Sequence, residues 1–426
     1  KKEEKDQKPN KKQETLENPK IYTKKKKPKR IHAFDIVRAI AIALMILAHS
    51  LNSWLNADSQ WIEGIYYVIL SPMGVPGFLF VSGMSFGFSW FSKEKKGFNY
   101  KENTIYQLSR TLAVLFVSTI YNLVAVLIHH SSILDIWFWF ILQSLAVSRL
   151  LGGLAMKLGR IGRIVLAVVI IIITPILINI LELTREGNSI SQVVYWILFN
   201  PVEADSFMFF FPAFLVGSVI GQEIHQITKV EDKEEPLKNI NKNPLNSLKI
   251  LLLIGCLFVI SGILGGLGAV GADNKWSWVI EFQTHPDWNI TETPMFLVRN
   301  TYAWILYSIG IEIVLSIVVF YIIDYKIKRE KRSEFELFGR YSFTIYISHY
   351  LCYLIPLELD HITTTIAFFI FMGVLWIMIH LIDIKSNGKY SLEFLMGIGA
   401  NELYKLLKSS RASTSKSINN QKNADK

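Results

Sequence analysis

The chain has 426 residues, 51% of them hydrophobic and only 19% charged, with a formal net charge of +10. Its mean hydropathy is +0.31, and the charge lies between long apolar runs rather than among them. That pattern excludes an ordinary soluble domain and points to a polytopic membrane protein. The positive balance does not indicate a nucleic-acid partner. Lys24 to Arg30 (KKKKPKR) ends just before the first apolar run, where a basic cluster pins orientation and meets anionic headgroups.

Residues 1–30 are rich in Lys, Glu, Gln, Asn and Pro and read as a disordered basic cytoplasmic tail. The first apolar run is too long for a cleavable signal h-region. Ten spans follow, at approximately 34–55, 67–91, 107–129, 133–152, 162–181, 206–222, 248–270, 296–323, 341–358 and 363–384. The sixth is short and interrupted by Pro212. With the N-terminus inside, inner loops hold Lys93, Lys95, Lys96, Lys101, Lys157, Arg160, Arg163, Lys326, Lys328 and Arg329. The outer connections hold little beyond Arg185, Lys275 and Arg299. This asymmetry satisfies the positive-inside rule with an even span count, so both termini are expected in the cytoplasm. The loop 223–247 is polar and reads as flexible. Ser391 to Leu407 carries Leu392, Phe394, Leu395, Ile398, Leu403, Leu406 and Leu407 at helical spacing, as an amphipathic surface helix does. The expected architecture is therefore an all-α membrane bundle of about ten helices over 31–385, followed by a surface helix and loose tail over 386–426. Cys256 and Cys352, the only cysteines, both fall in spans and read as small core residues rather than a disulfide framework.

Within the first span, Asp35 and Arg38 precede ten residues that lead to His49. Eleven steps of about 100° return to within roughly 20° of the start, so Arg38 and His49 share one helix face, roughly 16 Å apart along the axis. Ionisable groups inside a span are costly and mark function. Asp35 pairs with Arg38 at i,i+3, or supplies a favourable charge at the helix start. Arg38 and Arg110 also suit interface anchors. His380 reads as structural, and His129 and His130 as outer-surface residues. No HEXXH or HXH cluster exists and the histidines scatter over different spans, so no metal site is expected.

Four further patterns follow the Arg-X10-His element. Gly77-Phe78-Leu79-Phe80-Val81-Ser82-Gly83-Met84-Ser85-Phe86-Gly87 occupies the second span. Arg110 opens the third, Gln143 lies in the fourth, and Phe338-Gly339-Arg340-Tyr341-Ser342-Phe343-Thr344-Ile345-Tyr346-Ile347-Ser348-His349 comes late in the chain. In this order they resemble the catalytic-domain family of heparan-α-glucosaminide N-acetyltransferase. More broadly they resemble the transmembrane acyltransferases, whose other large branch, acyltransferase family 3, O-acylates cell-envelope glycans. The resemblance implies transfer of an acyl group, with acetyl expected, from cytosolic acyl-CoA to a hydroxyl or amine of a glycan or similar polar acceptor across the membrane. His49, Asp35 and His349 are then the catalytic set. Arg38, Arg110, Gln143, Ser82 and Gly83 line the acyl-CoA site.

The chemistry of the residues agrees with that reading. The phosphates of acyl-CoA need cations at the inner face, where Arg38, Arg110, Lys93, Lys95 and Lys96 are expected. Its slender arm needs a slot, and Gly74, Gly77, Gly83 and Gly87 are small enough to open one. An imidazole at His49 suits a general base, and an acyl-His49 intermediate is an open alternative. His349 orients the acceptor, contacts the acyl group or bonds across helices. For the acceptor, 52–66 offers Asn52, Trp54, Asn56, Asp58, Gln60, Trp61 and Glu63. The loop 271–295 offers Asp273, Trp276, Trp278, Glu281, His285, Asp287 and Trp288, with a glycosylation sequon at Asn289-Ile290-Thr291. Expected partners are acyl-CoA, the acceptor, membrane lipids and at most a second copy in a homodimer. The rival reading is a proton-coupled secondary transporter of a small polar solute, built around the same buried His and Arg.

Overall fold

A computed structural model describes residues 30–129, 136–199, 206–231, 244–267, 294–299, 301–329, 331–355 and 357–424. Among them the chain is helical, with one isolated bridge between Leu55 and Leu359. The helices are α1 (His32–Trp54), α2 (Trp61–Ile69), α3 (Val75–Lys95), α4 (Tyr100–His129), α5 (Ile141–Ala155), α6 (Gly159–Thr184) and α7 (Ser189–Phe199). They continue as α8 (Phe207–Glu231), α9 (Pro244–Gly265), α10 (Tyr302–Phe320), α11 (Glu336–Arg340), α12 (Ser342–Ser348), α13 (His361–Ser386) and α14 (Leu392–Ala424). The candidate acceptor residues between Asp273 and Trp288, and the sequon at Asn289, lie outside the described residues.

Among the described residues, seven segments are long and apolar enough to cross a bilayer. The difference from the ten expected spans has local causes. α5 and α6 are two helices that form one continuous apolar segment, jointed where Gly159 takes a positive φ of 68°. α4 spans 30 residues but mixes Asn103, Gln107, Arg110 and Asn122 into its apolar face. The expected ninth span is broken: α12 gives way to a 3-10 segment, His349–Leu354. Burial sorts the seven. The α8 window is 89% buried and forms the centre of the bundle, whereas the α13 window is 17% buried and presents Phe369, Ile370 and Ile377 to lipid.

We call the side where α1 starts the proximal face and the side where it ends the distal face. α1 begins after Ile31, which has no side chain able to cap. Asp324, in a π-helical turn that continues α10, supplies the missing acceptor. Its carboxylate takes the backbone N–H of His32 at 2.9 Å and of Ala33 at 2.8 Å. At the distal end the Trp54 indole donates to the carbonyls of Cys352 (3.0 Å) and Ile355 (3.1 Å). Both ends of α1 are thus held by the C-terminal third of the chain.

α3 and α8 pack backbone to backbone. A Cβ on Gly83 would overlap the Phe214 carbonyl, and one on Gly87 the Ser218 carbonyl. In return, Gly217 and Gly221 of α8 make room for the carbonyls of Phe80 and Met84. The slot expected from Gly83 and Gly87 is therefore filled by α8.

Candidate active site

His49 and His349 come together at the distal side of the bundle. Their ring centroids lie 4.9 Å apart, although 300 residues of sequence separate them. α1 carries His49. The break between α12 and the 3-10 segment aims His349 at it. Tyr350 packs on both imidazoles, at 5.7 Å from His49 and 4.4 Å from His349. Tyr346 and Tyr121 close the aromatic wall. His349 is fully buried; its Nδ1 meets the Tyr346 carbonyl and its Nε2 has no hydrogen-bond partner. A cavity of about 200 Å³ opens here, lined by His49, Tyr66, Gly74, Arg299, Trp304 and Tyr350. Arg299 lies within electrostatic reach of His49. Among the described residues it is the one cation in the cavity wall, a place for an anionic group or a developing oxyanion.

Arg38 faces the interior toward the proximal side. It donates to the Gly339 carbonyl (3.2 Å) and to Ser85 Oγ (2.8 Å), and lies 3.6 Å from Asp35. The motif glycine explains the first contact: a Cβ on Gly339 would overlap the Asp35 backbone, so only glycine lets α11 approach α1. Asp35 is buried and orients Arg38, as the i,i+3 spacing implies.

Arg110 is exposed and donates to the Tyr106 hydroxyl at 2.9 Å, and Lys93 sits 3.9 Å over the Tyr106 ring. Arg149 joins them. It donates to Gln107 at 3.0 Å, lies over Phe86, and leaves its buried Nε without a partner. Its electrostatic neighbours are Arg110, Tyr106 and Arg38. Two guanidiniums and an ammonium gathered on Tyr106, with Arg38 within electrostatic reach of Arg149, are a ready anion site. α14 borders it: Tyr404 stacks edge-on against Tyr106, and Lys408 approaches Glu102 at 3.7 Å.

The remaining expected residues fall elsewhere. Gln143 is buried with both amide atoms engaged. Its oxygen accepts from Asn122 (2.8 Å), and its nitrogen donates to the Trp137 carbonyl at 3.4 Å. That fastens α4 to the turn before α5, near the cavity rather than the arginines. Ser82 is buried within α3, and Gly83 is occupied by α8. Among the acceptor candidates, Glu63 accepts from Asn52 (3.1 Å), Asn56 caps a short turn, and Trp54 ties α1 to the 3-10 segment. Trp61 stays exposed beside His361. His380 pairs with Glu334 and stacks on Trp376. A larger groove of about 640 Å³ between α6, α8 and α9, lined in part by the Arg160–Glu223 ion pair, shares no lining residue with the histidine cavity.

Arg149 and Arg299 escape a reading by motif. Each sits near the end of an apolar run, where an arginine reads as an ordinary anchor. The signal for Arg299 was its rarity as a basic residue on the outer side.

With this geometry in view, the comparisons with known proteins become specific. The model of the acyltransferase domain family, acyltransferase family 3, matches residues 31–382, most of the chain. The chain belongs to that family and is an integral membrane acyltransferase. No curated protein and no solved structure matches it.

Proposed function

We propose that the protein moves an acyl group, with acetyl first in mind, from acyl-CoA on the proximal, cytosolic side to a hydroxyl or amine of a glycan-like acceptor entering from the distal side. The observation that carries this reading is the His49–His349 pair above an aromatic cavity, on the same helix whose other end carries Arg38 beside Arg149. Arg149, Arg110 and Lys93 hold the phosphates of the donor. His49 takes the proton from the acceptor as its oxygen or nitrogen bonds to the acyl carbon. The C–S bond then breaks, and the same proton passes from the imidazole to the departing thiolate. The step balances without a metal. His349 supports His49 from 4.9 Å, and Arg299 faces the charge that develops on the acyl oxygen. The cavity is small, which supports a short acyl group.

The motifs that resemble glucosaminide N-acetyltransferases support an amine acceptor, and the envelope-glycan branch supports a hydroxyl. Cytosolic termini follow from the basic loops around the proximal arginines. The test is incubation of detergent-purified protein with radiolabelled acetyl-CoA and a panel of sugar acceptors. Label should move to a sugar in the native protein and not in a folded His49→Ala variant. Proton-coupled solute uptake in liposomes, with no CoA binding, would replace this reading with the transporter.

A further inference from the structure

α10 carries four buried polar side chains whose needs nothing among the described residues meets. Trp304 Nε1, Ser308 Oγ, both carboxylate oxygens of Glu312 and Ser316 Oγ lack hydrogen-bond partners. Their residues are 1%, 1%, 0% and 0% exposed. Successive steps of four residues place them on one slowly winding stripe, about 18 Å from first to last. An unmet buried polar group is destabilising, and within a bilayer water does not reach it to compensate. One such group is tolerable strain; four in line describe a surface built to meet something.

The stripe has a direction. Trp304 lines the cavity at His49. Ser316 lies further toward the proximal side, where the π turn after α10 caps α1. Glu312 presses against α3 at Gly77, where a side chain would overlap its carboxylate. α9 packs on another face of α10, around Gly255, Gly262 and Gly310. The stripe therefore looks toward α1 and α3, between the histidine pair and Arg38.

We infer that this stripe of Trp304, Ser308, Glu312 and Ser316 is the binding slot for the slender amide- and hydroxyl-bearing arm of the thioester donor, with Glu312 accepting from its amide N–H groups. The inference rests on the acyl-transfer reading and adds the helix that holds the arm. The chemistry matches. A pantetheine arm offers two amides and a hydroxyl. The stripe offers a pure donor, two hydroxyls that work both ways and a carboxyl acceptor. The length matches as well, because the Arg38-to-His49 rise is roughly 16 Å. The rival slot along Gly83 and Gly87 is closed by α8.

Full-length purified protein decides the matter with three donors: acetyl-CoA, acetyl-pantetheine and ethyl thioacetate, which has no amide. Glu312→Leu should raise KM for the first two about tenfold, the loss of roughly one buried hydrogen bond, and leave ethyl thioacetate turnover unchanged. Glu312→Gln, which keeps an acceptor oxygen, should recover most of that loss. Equal losses with all three donors, or an unchanged KM for both arm-bearing donors, overturn the slot. Should Glu312→Leu fail to accumulate, the Ser308→Ala/Ser316→Ala protein gives the same ratio, and no change in it overturns the slot. Native protein that is active with ethyl thioacetate alone sinks the slot while sparing the transfer reading. Native protein that is inactive with every donor sinks both.

Discussion

The distal histidine cavity and the proximal arginine cluster are built on the same helices, yet they differ in kind. The cavity is lined by Tyr66, Tyr346, Tyr350 and Trp304, and its one cation among the described residues is Arg299. The cluster concentrates Arg110, Arg149 and Lys93 around one tyrosine, with Arg38 near Arg149, and Arg110 reaches solvent. Aromatic surroundings with few charges favour a reaction step. Crowded, partly hydrated cations favour holding an anion. The contrast assigns chemistry to one end of α1 and binding to the other, and it predicts that substitutions at the two ends fail in different kinetic constants.

The largest effect belongs to the cavity. His49→Ala should lower kcat for acyl transfer by about 10²–10⁴-fold, with little change in donor KM; a change in KM alone would break the division. His349→Ala should cost less, on the order of tenfold in kcat, if it positions His49 through one contact. At the other end, Arg149→Ala should raise donor KM about tenfold and leave kcat near native, a loss of roughly 1.4 kcal/mol. Raising the salt concentration should weaken donor binding less in that variant than in the native protein.

Two smaller predictions concern the scaffold that keeps the ends apart. Gly217→Val wedges α8 from α3 and should destabilise by about 1–3 kcal/mol, read as a lower melting temperature in detergent. α14 docks through Glu393, which accepts the N–H groups of Phe343 and Thr344 and the Thr344 hydroxyl. Burial pushes the Glu393 carboxyl above its ordinary range, and those hydrogen bonds oppose the shift only in part. A raised carboxyl favours the docked state below the usual carboxylate range and loses that contribution as pH rises through the raised value. Protection of α14 from protease should therefore fall slightly with rising pH. Glu393→Gln should abolish the dependence.

Much of this arrangement is legible in the sequence. Arg38 and His49 lie on one interior-facing side of α1 because helical periodicity alone requires it. Gly339 and His349 were marked by the motif that contains them. The glycines of α3 were legible as close-approach positions, but a glycine does not say whether a ligand or a helix approaches. Here α8 does, through its own Gly217 and Gly221, a reciprocity visible only across 130 residues of sequence. Gln143 reads as a site residue, and in the structure its amide oxygen accepts from Asn122. Arg149 and the α10 stripe stayed hidden for another reason. Their meaning lies in missing partners and like-charged neighbours, which no local pattern encodes.

The most direct test of the account is a cryo-EM map of the full-length protein with a non-transferable CoA thioester bound. The account predicts phosphate density between Arg149 and Arg110, with the acyl end against His49 and His349. Nucleotide density in the groove between α6, α8 and α9, with the histidine cavity empty, would contradict it.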